Sequence, residues 1–190
     1  MDKNILGGDI VRELEVKVLN IDLDEMEEKI KSLGGTLIDK ELQVNTLIDS
    51  KGKYLENSLD SYLRIRKTKS LLKKNIKYTL TMKENIEREG IRENIESNVD
   101  ISNKEAMVNI LKNLGYIVYQ EGHKERTSYL LNGARLDLDK WDKATYPYPY
   151  MEIEVKHEDE LEGIVKMLSI SKENVSIKSI LELRKELKLL

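Results

Sequence analysis

The stretches ELEVK (Glu13–Lys17) and EIEVK (Glu152–Lys156) share a pattern in which charged and apolar residues alternate over five positions. Alternation with a period of two is typical of a β-strand that has one buried face. If the apolar face is buried in the core, the glutamates and lysines are solvated. If the charged face lines an enclosed space, the protein has a polar interior, which requires a functional reason.

The composition limits the classes of function. The chain has 190 residues, 35% of them charged, with a net charge of −3, which argues against binding nucleic acid or an anionic membrane through the overall field. It has no cysteine, so disulfides and thiolate metal sites are excluded, and its two histidines are too few for a histidine-rich zinc centre. A metal ion would therefore be held by carboxylates, which suit Mg²⁺ or Mn²⁺.

The sequence predicts one domain over residues 1–190, with a C-terminal helical extension from about residue 158. No run rich in proline, glycine or serine marks a linker. No stretch approaches the roughly 18 apolar residues of a membrane span, and the N-terminus lacks the apolar segment of a secretion signal. We therefore expect a cytoplasmic protein.

Eight segments have strand patterns, and helical patterns are embedded between and after them. The order of the elements does not alternate strand and helix, so the sequence favours an α+β fold built on a mostly antiparallel sheet or barrel over a doubly wound fold. The predicted strands are 11–18, 36–49, 59–67, 77–83, 91–99, 116–131, 134–141 and a last strand that ends at 156. The predicted helices are 22–33, 103–115, about 158–168 and about 178–189.

The polar faces of these strands carry many more charges than an ordinary solvated face. They hold ten cations and seven carboxylates, a balance of +3 in a chain of net charge −3. Amphipathic helices could cover the apolar face, and a closed sheet would then enclose the charges in a tunnel. Arginine and lysine could neutralise a triphosphate there, and carboxylates could hold a bridging divalent metal. The residues are Lys17, Arg64, Arg66, Lys77, Lys83, Arg92, Lys124, Arg126, Arg135 and Lys156, with Glu13, Glu15, Glu96, Asp137, Asp139, Glu152 and Glu154.

ELEVK resembles the ExExK signature of the CYTH superfamily, also called triphosphate tunnel metalloenzymes. The resemblance extends over about 11–156 and includes LRIRK, TLTMK, KER, LDLDKW and MEIEVK in order. ExExK alone is a weak signal, whereas the ordered set is specific. The resemblance implies an eight-stranded antiparallel β-barrel with helices packed on the outside, a triphosphate substrate in the tunnel, and Mg²⁺ or Mn²⁺ as cofactor.

The resemblance also implies roles for individual residues. The predicted metal ligands are Glu13, Glu15, Glu96, Asp139, Glu152 and Glu154. The predicted phosphate-binding residues are Arg64, Arg66, Lys83, Lys124 and Arg126, and Lys17 is expected to contact the substrate or the reacting water, acting in catalysis with Glu13 and Glu15. Lys77, Arg92 and Arg135 share the inward register and are further phosphate-binding candidates, although each could equally be a structural ion-pair partner, as could Asp137 and Lys156.

Two positions depart from the family pattern. The fifth strand often carries an ExE pair, but here it reads Asn94-Ile95-Glu96, which leaves open whether one or two metal ions bind. The second strand reads QVNTLID and lacks the aromatic residues that often occur there.

The sequence favours a metal-dependent phosphohydrolase that acts on an inorganic or small organic triphosphate, such as tripolyphosphate, thiamine triphosphate or ATP. The first alternative is a class IV adenylate cyclase that converts ATP to cyclic AMP and pyrophosphate, but no adenine-reading feature is recognisable. The second alternative is a non-catalytic tunnel that binds polyphosphate or nucleotide. We expect no nucleic-acid or membrane partner, and a homodimer remains compatible with the sequence.

Overall fold

Eight antiparallel strands form a closed barrel in a computed structural model that describes residues 8–86 and 91–189. Their order around the barrel is β5-β4-β3-β2-β6-β7-β8-β1, and the pairing of β1 with β5 closes it. The predicted eight-stranded antiparallel barrel is therefore confirmed. The strands are β1 (Gly8–Val18), β2 (Thr36–Ser50), β3 (Ser61–Ser70), β4 (Ile76–Ile86), β5 (Arg92–Asp100), β6 (Tyr116–Leu131), β7 (Ala134–Trp141) and β8 (Tyr150–Val155).

Five helices lie outside the barrel within the described residues. They are α1 (Leu23–Ser32), α2 (Tyr54–Leu59), α3 (Lys104–Asn113), α4 (Glu158–Met167) and α5 (Ile180–Glu186), with a 3₁₀-helix at Lys172–Asn174 before the two-residue strand β9 (Val175–Ser176), which pairs with β1. None of the described helices combines the length and apolar character needed to cross a membrane.

The short helix α2 was not predicted, because the sequence there reads as a turn followed directly by a strand. Its first backbone groups are held by a residue at the end of β2. The Asp49 carboxylate accepts hydrogen bonds from the N–H groups of Leu55 at 3.0 Å and Glu56 at 3.1 Å. A capping residue six positions before its partner gives no local helix signal.

The apolar core lies between the outer surface of the barrel and the helices. Val16 and Val18 of β1 and Ile153 of β8 are buried there, against Ile30 of α1 and Ile164 of α4. The opposite faces of β1 and β8, which carry the glutamates, line the barrel interior. The prediction that the glutamates point inward and the valines outward is confirmed.

Candidate active site

The barrel encloses a cavity of about 890 Å³. This volume lies within the range of roughly 300–1,000 Å³ that is usual for small-molecule sites. Charged side chains from β1, β3, β4, β5, β6, β7 and β8 line it. The interior of the barrel is thus a polar binding site and not a packed apolar core.

One side of the cavity, which we call the basic wall, is formed by the neighbouring strands β3, β2 and β6. Arg64 and Arg66 of β3 and Lys124 and Arg126 of β6 line the cavity from this side, with Asn45 of β2 between them. Alternation along each strand places both members of each cationic pair on the inner face. The basic wall brings together four of the predicted phosphate-binding residues.

The other side, which we call the acidic wall, is formed by β8, β1 and β5. It carries five of the predicted metal ligands, all of which line the cavity: Glu13, Glu15, Glu96, Glu152 and Glu154. Glu15 pairs directly across the strands with Glu154, and Lys17 pairs with Glu152. Directly paired residues of an antiparallel sheet point to the same face, so the carboxylates are concentrated in one region.

Two lysines neutralise part of the acidic wall. Lys83 of β4 places its Nζ 2.9 Å from both Glu13 and Glu96. The Nζ of Lys17 lies 3.5 Å from Glu15 and 3.3 Å from Glu152. In this arrangement both lysines contact carboxylates, so a phosphate or a metal ion would have to compete for the same groups.

Asp139 takes a different place from the other predicted metal ligands. It is fully buried and does not line the cavity. Its oxygens accept hydrogen bonds from Arg126 Nε at 2.7 Å and from Lys124 Nζ at 2.8 Å. Asp139 therefore lies behind the basic wall, where it orients two cations.

The pKa values of the basic wall reflect its burial. Burial, reinforced by the neighbouring Arg126, lowers the pKa of Lys124 to about 7, although Asp139 and Glu152 oppose the shift. Burial, followed by the charges of Arg64 and Arg126, lowers the pKa of Arg66 to about 10. The crowded cations of this wall would be stabilised by an anionic ligand.

On the acidic wall the pKa values divide the carboxylates into two groups. Burial raises the pKa of Glu96, but Lys83 and Arg64 outweigh it and lower the value to about 2. For Glu154, burial and the charge of Glu13 raise the pKa to about 7. The pKa of Glu13 is also raised, first by burial. Part of the acidic wall therefore holds more negative charge than the lysines compensate.

The acidic wall offers the carboxylate oxygens that a divalent metal ion such as Mg²⁺ requires. In the described part of the chain, no three acidic or histidine side chains are grouped so that they could hold a metal ion as they stand. The donor chemistry nevertheless fits, because carboxylate oxygens are the ligands of Mg²⁺ and Mn²⁺, and the raised pKa of Glu154 marks a place where a cation would relieve repulsion. These carboxylates fit such an ion once Lys17 and Lys83 move away from them.

One end of the cavity is closed by α5, which was predicted as a helix but not as part of the site. Leu183 packs with Tyr146 and Tyr150 in a buried cluster. Glu182 lies 3.2 Å from Arg92, and Arg184 donates a hydrogen bond to Gln120. The docking of α5 depends on these tertiary contacts, which no local sequence pattern specifies.

Aromatic side chains near this end also line the cavity. They are Tyr62, Tyr119, Trp141 and Tyr150. The Lys124 Nζ lies 5.2 Å from the centre of the Trp141 ring. At Gly122 of β6 a Cβ atom would lie 2.5 Å from the Thr145 side chain and 3.2 Å from Trp141, so this strand needs glycine where the loop that follows Trp141 packs closely on it.

Lys77, Arg135 and Arg92, which their strand register made phosphate-binding candidates, occupy three different kinds of position. Lys77 is exposed at one end of β4, where its Nζ lies 3.0 Å from Asp100, and it does not line the cavity. Arg135 also does not line the cavity, and its Nε lies 3.0 Å from Asp137. Arg92 lines the cavity at the end closed by α5. Of these three, only Arg92 is brought into the site.

Two asparagines occupy positions inside the barrel that the sequence did not assign to the site. Asn94 is fully buried, and its Nδ2 donates a hydrogen bond to Glu15 at 3.1 Å. The side chain at the position of the missing carboxylate on β5 thus supports a carboxylate of β1. Asn45 lies in the basic wall. It shares one face of β2 with Gln43 and Leu47, and this alternation is the sequence signal that could have placed it in the site.

The sequence and the fold match known proteins. The model of the CYTH domain family matches residues 11–183. Among solved structures, PH1819 from Pyrococcus horikoshii is 24% identical with a TM-score of 0.74, the match covering 92% of this chain and 98% of that one. A conserved hypothetical protein from Pyrococcus furiosus is 25% identical with a TM-score of 0.72, covering 90% and 99%.

A third similar structure is HpAC1 from Hippeastrum, which is named as a candidate adenylyl cyclase and described as having a dominant triphosphatase activity. It is 19% identical with a TM-score of 0.66, and the match covers 94% of this chain and 97% of that one. No curated protein matches the sequence. Because the family model extends over almost the whole chain, including the ExExK strand and the closing helix region, the chain belongs to the CYTH domain family.

Proposed function

We propose that this protein is a metal-dependent hydrolase of an inorganic or small organic triphosphate, which it binds in the barrel. The observation that carries the proposal is the placement of the basic wall and the acidic wall on opposite sides of one enclosed cavity. A basic lining alone would suit any polyanion, whereas the added carboxylates suit a divalent metal that bridges to phosphate. Members of the family are triphosphatases or adenylate cyclases.

The basic wall would bind the phosphate oxygens. Arg64, Arg66, Lys124 and Arg126 offer charged donors from two strands, and guanidinium groups can bind two oxygens at once. Asp139 holds Arg126 from behind, and Asp137 and Glu152, which line the cavity, also contact it, so its orientation is fixed before the substrate binds. Such preorganised charge stabilises the charge that spreads over the phosphoryl oxygens in the transition state.

The acidic wall would hold Mg²⁺ or Mn²⁺ through Glu13, Glu15, Glu152 and Glu154. When bound, such an ion neutralises phosphate charge and helps to orient a water molecule. Lys17 and Lys83 would then leave the carboxylates and turn to the phosphates. In hydrolysis, the water oxygen bonds to the terminal phosphorus, the bond from that phosphorus to the bridging oxygen breaks, and orthophosphate, the shortened polyphosphate and a proton are released.

A second candidate function is the class IV adenylate cyclase reaction. The cavity volume of about 890 Å³ and the lining by Tyr62, Tyr119 and Trp141 would accommodate an organic group beside the phosphates. In that reaction the ribose 3′-oxygen bonds to the α-phosphorus and pyrophosphate leaves. The same charged groups would serve both reactions, and the difference is which phosphorus faces the nucleophile.

Incubation with tripolyphosphate, thiamine triphosphate and ATP in parallel, with Mg²⁺ or Mn²⁺, separates the two reactions. We expect orthophosphate as the first product from at least one of the three. Cyclic AMP and pyrophosphate as the main products from ATP, with no orthophosphate from the other two, would overturn the proposal in favour of the cyclase.

A further inference from the structure

We propose that Arg92 is a positioning residue for the metal site and not a phosphate-binding residue, and that Glu182 of α5 holds it away from Glu15. This inference rests on the proposed function, because it assumes that Glu15 binds a divalent metal ion. It gives α5 a role beyond closing the cavity. Docking of the helix sets how strongly a cation of the protein competes with the metal ion for Glu15.

Arg92 lies where a direct ion pair with Glu15 would be expected. The two residues are direct cross-strand partners on β5 and β1, and both line the cavity. Their side chains therefore share one face of the sheet. The Arg92 Nε nevertheless lies 3.9 Å from the Glu15 carboxylate, which is too far for a hydrogen bond. Since hydrogen-bonded pairs of arginine and carboxylate are strong, other groups must hold the guanidinium back.

Asn94 stands between Arg92 and Glu15. Arg92 Nε donates a hydrogen bond to Asn94 Oδ1 at 3.2 Å, and Asn94 Nδ2 donates one to Glu15 at 3.1 Å. Because a guanidinium can only donate, the amide oxygen must face Arg92 and the NH₂ group must face Glu15. Glu15 is thus oriented by a neutral group, and rotation of the buried amide would break both hydrogen bonds.

The far side of the guanidinium is held by α5 and the segment that precedes it. One terminal nitrogen of Arg92 lies 3.2 Å from the Glu182 carboxylate and donates to the backbone oxygen of Ile177 at 3.3 Å. The other terminal nitrogen donates to the side-chain oxygen of Asn85. Glu182 is itself fixed on α5, because its carboxylate accepts from the N–H and the hydroxyl of Ser179, each at 2.6 Å. The position of Arg92 therefore depends on the docked helix.

These contacts suit a positioning role better than phosphate binding. All three nitrogens of the Arg92 guanidinium already have acceptors, and Glu182 neutralises its charge. If the contact with Glu182 were lost, the guanidinium could turn to its cross-strand partner Glu15, and a metal ion would have to displace it. The coupling is reciprocal, so a metal ion bound at Glu15 should also favour the docked helix.

The substitution Glu182→Gln tests this coupling, because it weakens the hold on Arg92 with little change of shape. Mn²⁺ affinity is measured by titration calorimetry without substrate. We expect Glu182→Gln to bind Mn²⁺ about fivefold to tenfold more weakly than the wild type. The matched control is Glu186→Gln on the same helix, whose side chain is equally exposed (53% against 52%) and pairs with Lys178. It should bind Mn²⁺ as the wild type does.

The substitution Arg92→Gln identifies the cause of the effect. In a protein that already carries Arg92→Gln, Glu182→Gln should no longer weaken Mn²⁺ binding, because no guanidinium remains to compete. An equal effect of Glu182→Gln with and without Arg92 would overturn the inference.

The double variant also separates positioning from phosphate binding. It removes one positive and one negative charge, so its net charge equals that of the wild type. Its affinity for tripolyphosphate in EDTA should therefore equal that of the wild type. A loss of about tenfold or more in that affinity would show that Arg92 binds phosphate and would overturn the inference.

If variants that lack Arg92 do not fold, the metal requirement of Glu182→Gln carries the test. Phosphate release from the triphosphate that the wild type hydrolyses should need more Mn²⁺, with turnover restored by excess Mn²⁺ and KM for the triphosphate unchanged. A Mn²⁺ requirement equal to that of Glu186→Gln would overturn the roles of Arg92 and Glu182 alone. A wild-type protein that binds no Mn²⁺, with or without tripolyphosphate, would overturn the proposed function and this inference together.

Discussion

Glu15 and Glu154 are direct cross-strand partners on β1 and β8, yet their pKa values shift in opposite directions. Burial raises the pKa of Glu15, but Lys17 and Lys83 outweigh it, so the value is lowered. The pKa of Glu154 is raised to about 7, first by burial and then by the charge of Glu13. Lysines balance the negative charge of Glu15, whereas burial and the charge of Glu13 leave Glu154 suited to bind an external cation.

The raised pKa of Glu154 predicts a pH dependence of stability. The folded state holds this proton up to about pH 7, whereas the unfolded state loses it near its ordinary value of 4.5. The contribution of Glu154 is therefore fully present below pH 4.5 and is lost as the pH rises through 7. In metal-free buffer, the free energy of unfolding of the wild type should fall more steeply between pH 5 and 7 than that of Glu154→Gln. Parallel curves from denaturant titrations would contradict this assignment.

Mutation of a carboxylate in the acidic wall should separate turnover from binding. In Glu15→Gln we expect a loss of turnover of about 100-fold or more, because a metal ligand is removed, while tripolyphosphate still binds to the basic wall. Phosphate-release assays and calorimetry measure the two quantities. Glu125→Gln, at an exposed position of β6, is the control, and full activity in Glu15→Gln would show that β1 does not supply the metal ligands.

The buried contacts of Asp139 predict that replacing its carboxylate with a neutral amide lowers the free energy of unfolding. Asp139→Asn removes the charge that Lys124 and Arg126 share, and breaking a buried ion pair costs about 3 kcal/mol. We expect lower stability and a higher KM for the triphosphate, with the affinity for Mg²⁺ little changed. Lys140→Gln, exposed on the same strand, should behave as the wild type. Unchanged stability with weakened Mg²⁺ binding would instead support a metal-ligand role for Asp139.

The lowered pKa of Lys124 predicts that substrate binding takes up a proton. At pH 8 a lysine with a pKa of about 7 is mostly neutral, and a bound polyanion would restore its charge. Calorimetry of tripolyphosphate binding in buffers of different ionisation enthalpy should detect an uptake of up to about one proton. The uptake should be smaller in Lys124→Met, and an equal uptake in both proteins would assign the proton to another group.

The alternation of the strands predicted a mostly antiparallel sheet or barrel, and the resemblance to the CYTH superfamily supplied the closed eight-stranded barrel. The charged face of β1 could be paired with that of β8 from their common pattern, and amphipathic helices such as α1 could be placed outside. The same register argument also placed Lys77 inward, but it could not show that the cavity ends before the exposed end of β4. Periodicity gives the face of a strand and not the depth of a residue along the barrel.

Other features depend on tertiary contacts that the sequence does not encode locally. The short helix α2 is held by Asp49 from a different element, and α5 closes the cavity through its packing on Tyr146 and Tyr150. The position of Asp139 behind Arg126 depends on how β6 and β7 pair. The alternation of residues along β7 places this carboxylate on the inner face of the barrel, but it cannot show that Lys124 and Arg126 cover it.

Release of orthophosphate from tripolyphosphate, thiamine triphosphate and ATP, measured with Mg²⁺, with Mn²⁺ and with EDTA, tests the central claim most directly. The arrangement of the basic and acidic walls predicts release from at least one of the three compounds with a metal ion and none with EDTA. Tight binding of tripolyphosphate with no release of orthophosphate from any of the three compounds would contradict the claim.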